Sequence, residues 1–271
     1  MNRRTLLAAG GVLAGTVTAG VASQPSGNDR LLAAARAPSD AGEAETQTQR
    51  LLPDTDHETP LYEIDSPRDG PTAMVFGGVH GDERSGVAVA REVVDWRPDA
   101  GTLVVVPETN REAVENDERE GPDGDLNRMF PVGQEPTTEL ARGIWDAVER
   151  REPDVVLDLH RSLGVYGLHR EYVGQAIFHS PDARGDELAA ALDADGVPWY
   201  LPFHRFTARE TDLSSPLLFQ KAARELESTA YLFETTEFLL DRETRVELTR
   251  LATAHVLAMH GLLEVEAGGA E

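Results

Sequence analysis

The fold is decided at residues 73–83, which read Ala73-Met74-Val75-Phe76-Gly77-Gly78-Val79-His80-Gly81-Asp82-Glu83. The short apolar run at the start predicts a strand buried on both faces. The glycines that follow permit tight or left-handed backbone turns. His80 and Glu83 stand three residues apart on that turn, so their side chains can converge on one ion. A histidine and a glutamate with this spacing more often lie on a solvated turn than at a metal. A metal site therefore requires further ligands from elsewhere in the chain.

Working outward from this stretch, short apolar runs alternate with helical patterns. The strand candidates are 73–77, 102–107, 154–158 and 230–233, with a weaker one at 174–179. The helix candidates are 86–96, 137–151, 185–194, 216–227 and 242–263. This alternation predicts an α/β fold, a single domain with a mostly parallel mixed sheet flanked by helices. In such a sheet the ligand crevice lies beyond the carboxyl ends of the strands.

Two further strands end in residues that can take part in metal chemistry. The third predicted strand leads into Asp158-Leu159-His160, and the last one leads into Glu234. We expect His160 to lie at the same sheet edge as His80, with Asp158 near enough to orient an imidazole. A carboxylate at Glu234 could exchange a proton with water and with a leaving group, although Glu237 is a competing candidate.

Between these strands lies the run Asp125-Leu126-Asn127-Arg128-Met129-Phe130-Pro131. An amide beside a planar guanidinium can bind a carboxylate at two points. Asn127 and Arg128 are therefore candidate substrate-binding residues. The alternative is that Arg128 stabilises its loop by pairing with one of the many nearby acids.

These four segments, in this order, resemble the zinc carboxypeptidase-like superfamily, and more closely its succinylglutamate desuccinylase and aspartoacylase branch. The resemblance covers residues 61–263. It implies a zinc carboxypeptidase-like fold and a Zn²⁺ cofactor. It also implies a zinc-dependent hydrolase of amide bonds, a deacylase in which zinc-activated water attacks a substrate that carries a carboxylate.

The resemblance also assigns roles to individual residues. The implied metal ligands are His80, Glu83 and His160. Glu234 would act as general base and acid, and Asn127 and Arg128 would bind the substrate carboxylate. Arg119 would stabilise the oxyanion, an assignment that depends on spacing alone.

Two other functions stay open at this point. One is a secreted metallocarboxypeptidase that trims peptides. The other is an inactive exported protein that binds carboxylates. The presence of Glu234 argues against the second, because binding alone needs no group that exchanges protons.

The charge balance limits the partners. The chain has 48 acidic and 25 basic residues, a formal net charge of −23 and no cysteine. Such a surface repels nucleic acid and anionic membranes, so we expect a small-molecule or peptide substrate with a free carboxylate. Lys221 is the single lysine. Acidic, lysine-poor surfaces are typical of proteins adapted to high salt, where screening weakens self-repulsion. The alternative is an acidic surface that serves ordinary solubility.

The N-terminus indicates export. Asn2-Arg3-Arg4-Thr5-Leu6-Leu7 opens an apolar stretch and resembles a twin-arginine signal. We therefore expect an export signal at 1–23, a flexible linker at 24–50, a catalytic domain at 51–265 and a tail at 266–271. The protein would be extracellular or at the cell surface. It would contact the membrane only if the signal segment stayed uncleaved.

Overall fold

The computed structural model describes residues 26–37, 42, 44–198 and 200–264. The helices in this part of the chain are α1 Gly27–Arg36, α2 Arg84–Val93, α3 Arg111–Asn116, α4 Glu139–Glu149, α5 Gly185–Asp195, α6 Leu218–Glu225 and α7 Arg242–Met259. The strands are β1 Glu45–Leu51, β2 Thr59–Asp65, β3 Thr72–Gly77, β4 Thr102–Val106, β5 Val155–Ser162, β6 Ala176–His179, β7 Thr207–Glu210 and β8 Thr229–Thr236. The predicted export signal at 1–23 and tail at 266–271 lie outside the described residues.

The described strands form one mixed sheet in the order β1-β2-β4-β3-β5-β8-β6-β7. Its centre, β4-β3-β5-β8, is parallel throughout. The antiparallel pairings are β1 with β2, β2 with β4, and β6 with β8. The predicted α/β fold with a mostly parallel sheet is therefore confirmed.

Helices cover both faces of the sheet, and β3 explains why. Ala73 and Val75 point into one apolar layer, together with residues of α1, α2, α5 and α7. Met74 and Phe76 point into the other layer, against α4 and α6. Because successive residues of a strand face opposite ways, a strand buried on both sides needs an unbroken apolar run.

The expected linker at 24–50 is wrong for most of its described residues. Helix α1 lies within it, begins with a capping box at Ser26 and buries Leu31 and Ala35 against the core. Strand β1 also begins inside it, at Glu45, and pairs with β2 over seven residues. The folded domain thus starts well before residue 51. Sequence patterns missed β1 because six of its seven residues are exposed, which leaves no apolar alternation.

Two predicted strand ends were too early, and the difference matters for the site. β5 continues past Asp158 to Ser162, and β8 continues past Phe233 to Thr236. The two strands support each other because they pair over all eight residues. His160 and Glu234 are therefore held within strands. None of the described helices combines the length and apolarity needed to cross a bilayer.

Candidate metal and catalytic site

The turn after β3 is shaped by two glycines. Gly78 has a φ of +70°, a conformation that other residues seldom adopt. A Cβ on Gly81 would lie 2.0 Å from the carbonyl carbon of Ala113, so only glycine lets α3 pack this closely. The turn brings His80 inward and ends at Glu83, directly before α2.

Three side chains converge at this turn. His80 Nδ1 lies 2.9 Å from Glu83 Oε1, and His160 Nδ1 lies 2.9 Å from Glu83 Oε2. The two Nδ1 atoms are 3.1 Å apart. All three residues are buried, with at most 3% of their surface exposed. Within the described part of the chain, this group can share one metal ion.

The outer nitrogens of both imidazoles face carboxylates. His80 Nε2 lies 3.0 Å from Asp125 Oδ1, and His160 Nε2 lies 3.0 Å from Asp158 Oδ2. A carboxylate at Nε2 favours the tautomer with its proton on that atom, which leaves the Nδ1 lone pair facing inward. A metal ion held here would meet two such lone pairs and the Glu83 carboxylate. This donor set fits a divalent cation.

The pKa values of His160 and Glu83 are shifted by the charged groups that surround them. Burial would lower the pKa of His160, but the Asp158 and Glu83 carboxylates outweigh it and raise that pKa well above the usual range. Burial would raise the pKa of Glu83, but the charge of His160 and hydrogen bonds from both histidines hold it far below the usual range. In the metal-free protein, positive charge on the histidines therefore stabilises the buried Glu83 carboxylate, a role that a bound cation could take over.

Glu234 lies beside this cluster. It is the register partner of His160 on the neighbouring strand, so both side chains leave the same face of the sheet. Its Oε2 is buried and has no hydrogen-bond partner among the described residues. Burial, together with repulsion from Glu83, raises the pKa of Glu234 to about 8.

The competing candidate, Glu237, occupies a different place. Its carboxylate pairs with Arg161 and lies 3.7 Å from Arg245. Its side chain is 41% exposed, and it does not line the cleft that contains Glu234. Of these two carboxylates, Glu234 is the one that faces the cleft lined by His80 and His160.

Six of the seven predicted site residues line one cleft of about 650 Å³, and the seventh, Glu83, lies buried beneath it. The six are His80, Arg119, Asn127, Arg128, His160 and Glu234. Asp125 caps the short 3-10 turn at Leu126–Arg128 by accepting from Asn127 N. Arg119 donates to Glu83 Oε1 at 3.0 Å and is 46% exposed, so its guanidinium reaches both the buried carboxylate and the cleft.

Sequence reasoning assigned no role to four residues that contribute to the site. Asp125 was visible only as the first residue of a loop run, and its contact with His80 depends on the tertiary fold. Arg161 follows His160, bonds Asp82 at 2.7 Å and donates its backbone N–H to Glu83 Oε2 at 2.8 Å. The far wall of the cleft includes Phe178 and Arg209, from the short strands β6 and β7.

Comparison with known proteins gives the family. Residues 69–234 match the succinylglutamate desuccinylase/aspartoacylase catalytic domain. The chain belongs to this family. The predicted resemblance to this family is confirmed.

One curated relative is the N-alpha-acetyl-L-2,4-diaminobutyric acid deacetylase of Halomonas elongata. It is 35% identical over 98 residues, a match that spans 34% of this chain and 29% of the relative.

Two solved structures share the fold. The product-bound ectoine utilization protein EutE (DoeB) of Ruegeria pomeroyi is 20% identical, with a TM-score of 0.58 over 87% of this chain and 72% of that one. A succinylglutamate desuccinylase/aspartoacylase of Rhodobacter sphaeroides is 20% identical, with a TM-score of 0.59 over 83% of this chain and 68% of that one.

Proposed function

We propose that this protein is a zinc-dependent deacylase that hydrolyses the amide bond of an N-acyl amino acid with a free carboxylate. The observation that carries the proposal is the convergence of two Nδ1 lone pairs and the Glu83 carboxylate, with the unpartnered Oε2 of Glu234 alongside. A binding protein would have no need for a partnerless carboxylate at that position.

His80, Glu83 and His160 would hold the metal. Two imidazoles and a carboxylate form the ligand set of many catalytic zinc sites, and the chain has no thiolate to offer. When bound, zinc supplies Lewis acidity that polarises a carbonyl and makes a water molecule more acidic. Asp125 and Asp158 keep the imidazoles in the tautomer that ligation requires.

Glu234 moves the protons. Its Oε2 accepts a proton from the attacking water and returns it to the departing nitrogen. Burial in a low-dielectric site strengthens its basicity, because the charged form of the carboxylate is poorly solvated there. A divalent cation nearby would lower its pKa from about 8 towards neutrality.

The arginines and Asn127 hold and stabilise the substrate. Arg128 donates to the backbone oxygen of Asn127 at 2.9 Å, which fixes the guanidinium at the cleft wall. A substrate carboxylate there would meet a planar cation with further donors. Arg119 stands between Glu83 and the cleft, where it can stabilise a developing oxyanion.

The far side of the cleft carries two carboxylates beside Arg209. Glu210 and Asp212 line it, and hydrogen bonds from Ser214 lower the pKa of Asp212 and keep it ionised. A substrate with a carboxylate at one end and an ammonium at the other suits such a cleft. The Halomonas relative is a deacetylase of one such molecule. N-alpha-acetyl-L-2,4-diaminobutyrate is therefore the first substrate to test.

A hydrolysis panel tests the proposal. Zinc-loaded protein in high salt would be assayed on N-acetyl amino acids with cationic, neutral and anionic side chains, and on dipeptides with free C-termini. Release of acetate from N-acetyl amino acids, with dipeptides at least about tenfold slower in kcat/KM, is the expected result. Faster cleavage of dipeptides would replace the deacylase with a metallocarboxypeptidase.

We also propose that the protein is exported by the twin-arginine route. If Arg3 and Arg4 form a twin-arginine signal, changing both to lysine should retain the protein inside a host that has this route. Immunoblots of cell and medium fractions would report it. Unchanged secretion of the double variant would remove the argument for this route.

A further inference from the structure

Lys221 is the single lysine of the chain, and it is buried. It lies in the middle of α6 with 1% of its surface exposed. A buried ammonium group loses its hydration, so it needs several hydrogen bonds and a counter-charge to be tolerated. The proposed chemistry makes no use of this group.

The Lys221 ammonium binds a turn that follows the Asn127 and Arg128 segment. Nζ donates to Pro131 O at 3.2 Å and to Gln134 O at 2.7 Å. It also donates to Glu225 Oε1 at 2.7 Å, one helical turn along α6. The ring of Trp145 lies beneath it, with its centre 4.6 Å from Nζ.

The Glu225 side chain binds a backbone amide of the same turn. Its Oε1 accepts from Gly133 N at 2.7 Å. Gly133 has a φ of +73°, so the turn has a geometry that glycine supports and that exposes this N–H to the carboxylate. The Lys221–Glu225 ion pair thus binds residues 131–134 through two backbone carbonyls and one backbone amide.

The start of α6 holds the other end of the segment. Leu218 N donates to Asn127 Oδ1 at 3.4 Å, and Phe130 N donates to Pro216 O at 3.3 Å. The side chain of Phe130 is fully buried in the apolar layer that includes α6. Residues 127–134 are therefore fastened along the length of one short helix.

We propose that Lys221 and Glu225 are positioning residues that set Asn127 and Arg128 for the substrate carboxylate. The inference rests on the proposed function, since it takes that pair as the carboxylate site. Neither residue lines the cleft, so both act through the 131–134 turn. Loss of these hydrogen bonds to the turn would weaken carboxylate binding while Glu234 and the proposed metal ligands stay in place.

A pair of probes separates positioning from a purely structural role. The substrates are N-alpha-acetyl-L-2,4-diaminobutyrate and its primary carboxamide, which lacks the charge that Arg128 would bind. The variant is Lys221→Met, and the matched control is Arg250→Met. Arg250 forms an ion pair with Glu92 at 2.7 Å, between α7 and α2 and away from the turn.

The expected result is a rise of about tenfold in KM for the carboxylate, with kcat within about twofold. The KM for the carboxamide should be unchanged, and Arg250→Met should leave both substrates unaffected. Equal losses on both substrates, or an unchanged KM for the carboxylate, would overturn the inference. If Lys221→Met does not fold, Glu225→Gln is measured by the same criteria.

Amide hydrogen exchange keeps this inference distinct from the proposed function. Lys221→Met should speed exchange across 126–134, and Arg250→Met should not. If the wild type hydrolyses neither probe, the proposed function fails, and the exchange result alone decides whether the pair holds the segment. Unchanged exchange across 126–134 in Lys221→Met would contradict the claim that this ion pair holds the segment.

Discussion

His160 and Glu234 are register partners on the parallel strands β5 and β8. Paired residues of neighbouring strands project to the same face of a sheet, so the backbone register itself places the His160 imidazole beside the Glu234 carboxylate. A slip of one residue would turn Glu234 to the opposite face. The pairing over eight residues on each strand guards against that slip.

Glu234→Gln should abolish most turnover and keep the metal. The amide is nearly isosteric but cannot accept a proton, so we expect kcat to fall by about 10²- to 10⁴-fold. Steady-state kinetics and metal analysis on the same sample would measure both effects. Glu237→Gln is the matched control, because it removes an exposed carboxylate three residues away, and it should retain activity within about tenfold. A larger loss in the control than in Glu234→Gln would reverse the assignment.

The metal-free protein should lose stability as pH rises, and Glu234 should be a cause. Burial raises the folded-state pKa of Glu234 to about 8 from an ordinary 4.5. Between these values the folded state holds a proton that the unfolded state has released, so stability falls with increasing pH. Melting temperatures of wild type and Glu234→Gln, each without metal, should therefore diverge across this window in favour of the variant.

Zinc provides the control for that titration. A cation beside Glu234 favours its charged form, so saturating zinc should shrink the pH-dependent difference between wild type and Glu234→Gln. A difference that is independent of pH without metal would contradict the raised pKa.

Asp158→Asn should weaken the metal site without removing a ligand. The carboxylate lies 3.0 Å from His160 Nε2 and favours the tautomer that ligates through Nδ1. Loss of such a partner typically costs about 10- to 100-fold in metal affinity. Competition with a chromogenic chelator would report the change. Asp117→Asn removes an acid from the exposed pair with Arg84, and its zinc affinity should equal that of the wild type.

Salt should stabilise the protein. With a net charge of −23, repulsion between surface acids opposes folding at low ionic strength. The Debye length shrinks from about 10 Å at 0.1 M to about 3 Å at 1 M salt, which removes most of this repulsion. Melting temperatures should thus rise with KCl up to molar concentrations. A flat or falling series would argue against salt adaptation.

The centre of the fold and the predicted residues of the site could be read from the sequence because each depends on a local pattern. The run 73–77 is apolar on both faces, and the histidine and acidic residues follow strand ends directly. β1 was hidden, because an exposed edge strand such as Glu45–Leu51 carries no apolar period. β7 was hidden too, because its four residues, Thr207–Glu210, are half-buried or exposed.

Contacts between distant segments could not be read from the sequence. Asp125 meets His80 across 45 residues, and Lys221 reaches Gln134 across 87. No periodicity links such positions, since the chain path between them determines whether they meet. Contacts between distant residues of the site are therefore harder to predict than candidate residues that directly follow a strand.

Zinc titration of the metal-free protein tests the central claim most directly. Calorimetry and activity would be followed together for wild type and for His160→Ala. We predict one zinc per chain in the wild type, with amide hydrolysis rising in proportion to occupancy, and loss of both in the variant. Hydrolysis that persists in metal-free wild type, or zinc binding and activity that survive His160→Ala, would contradict the account.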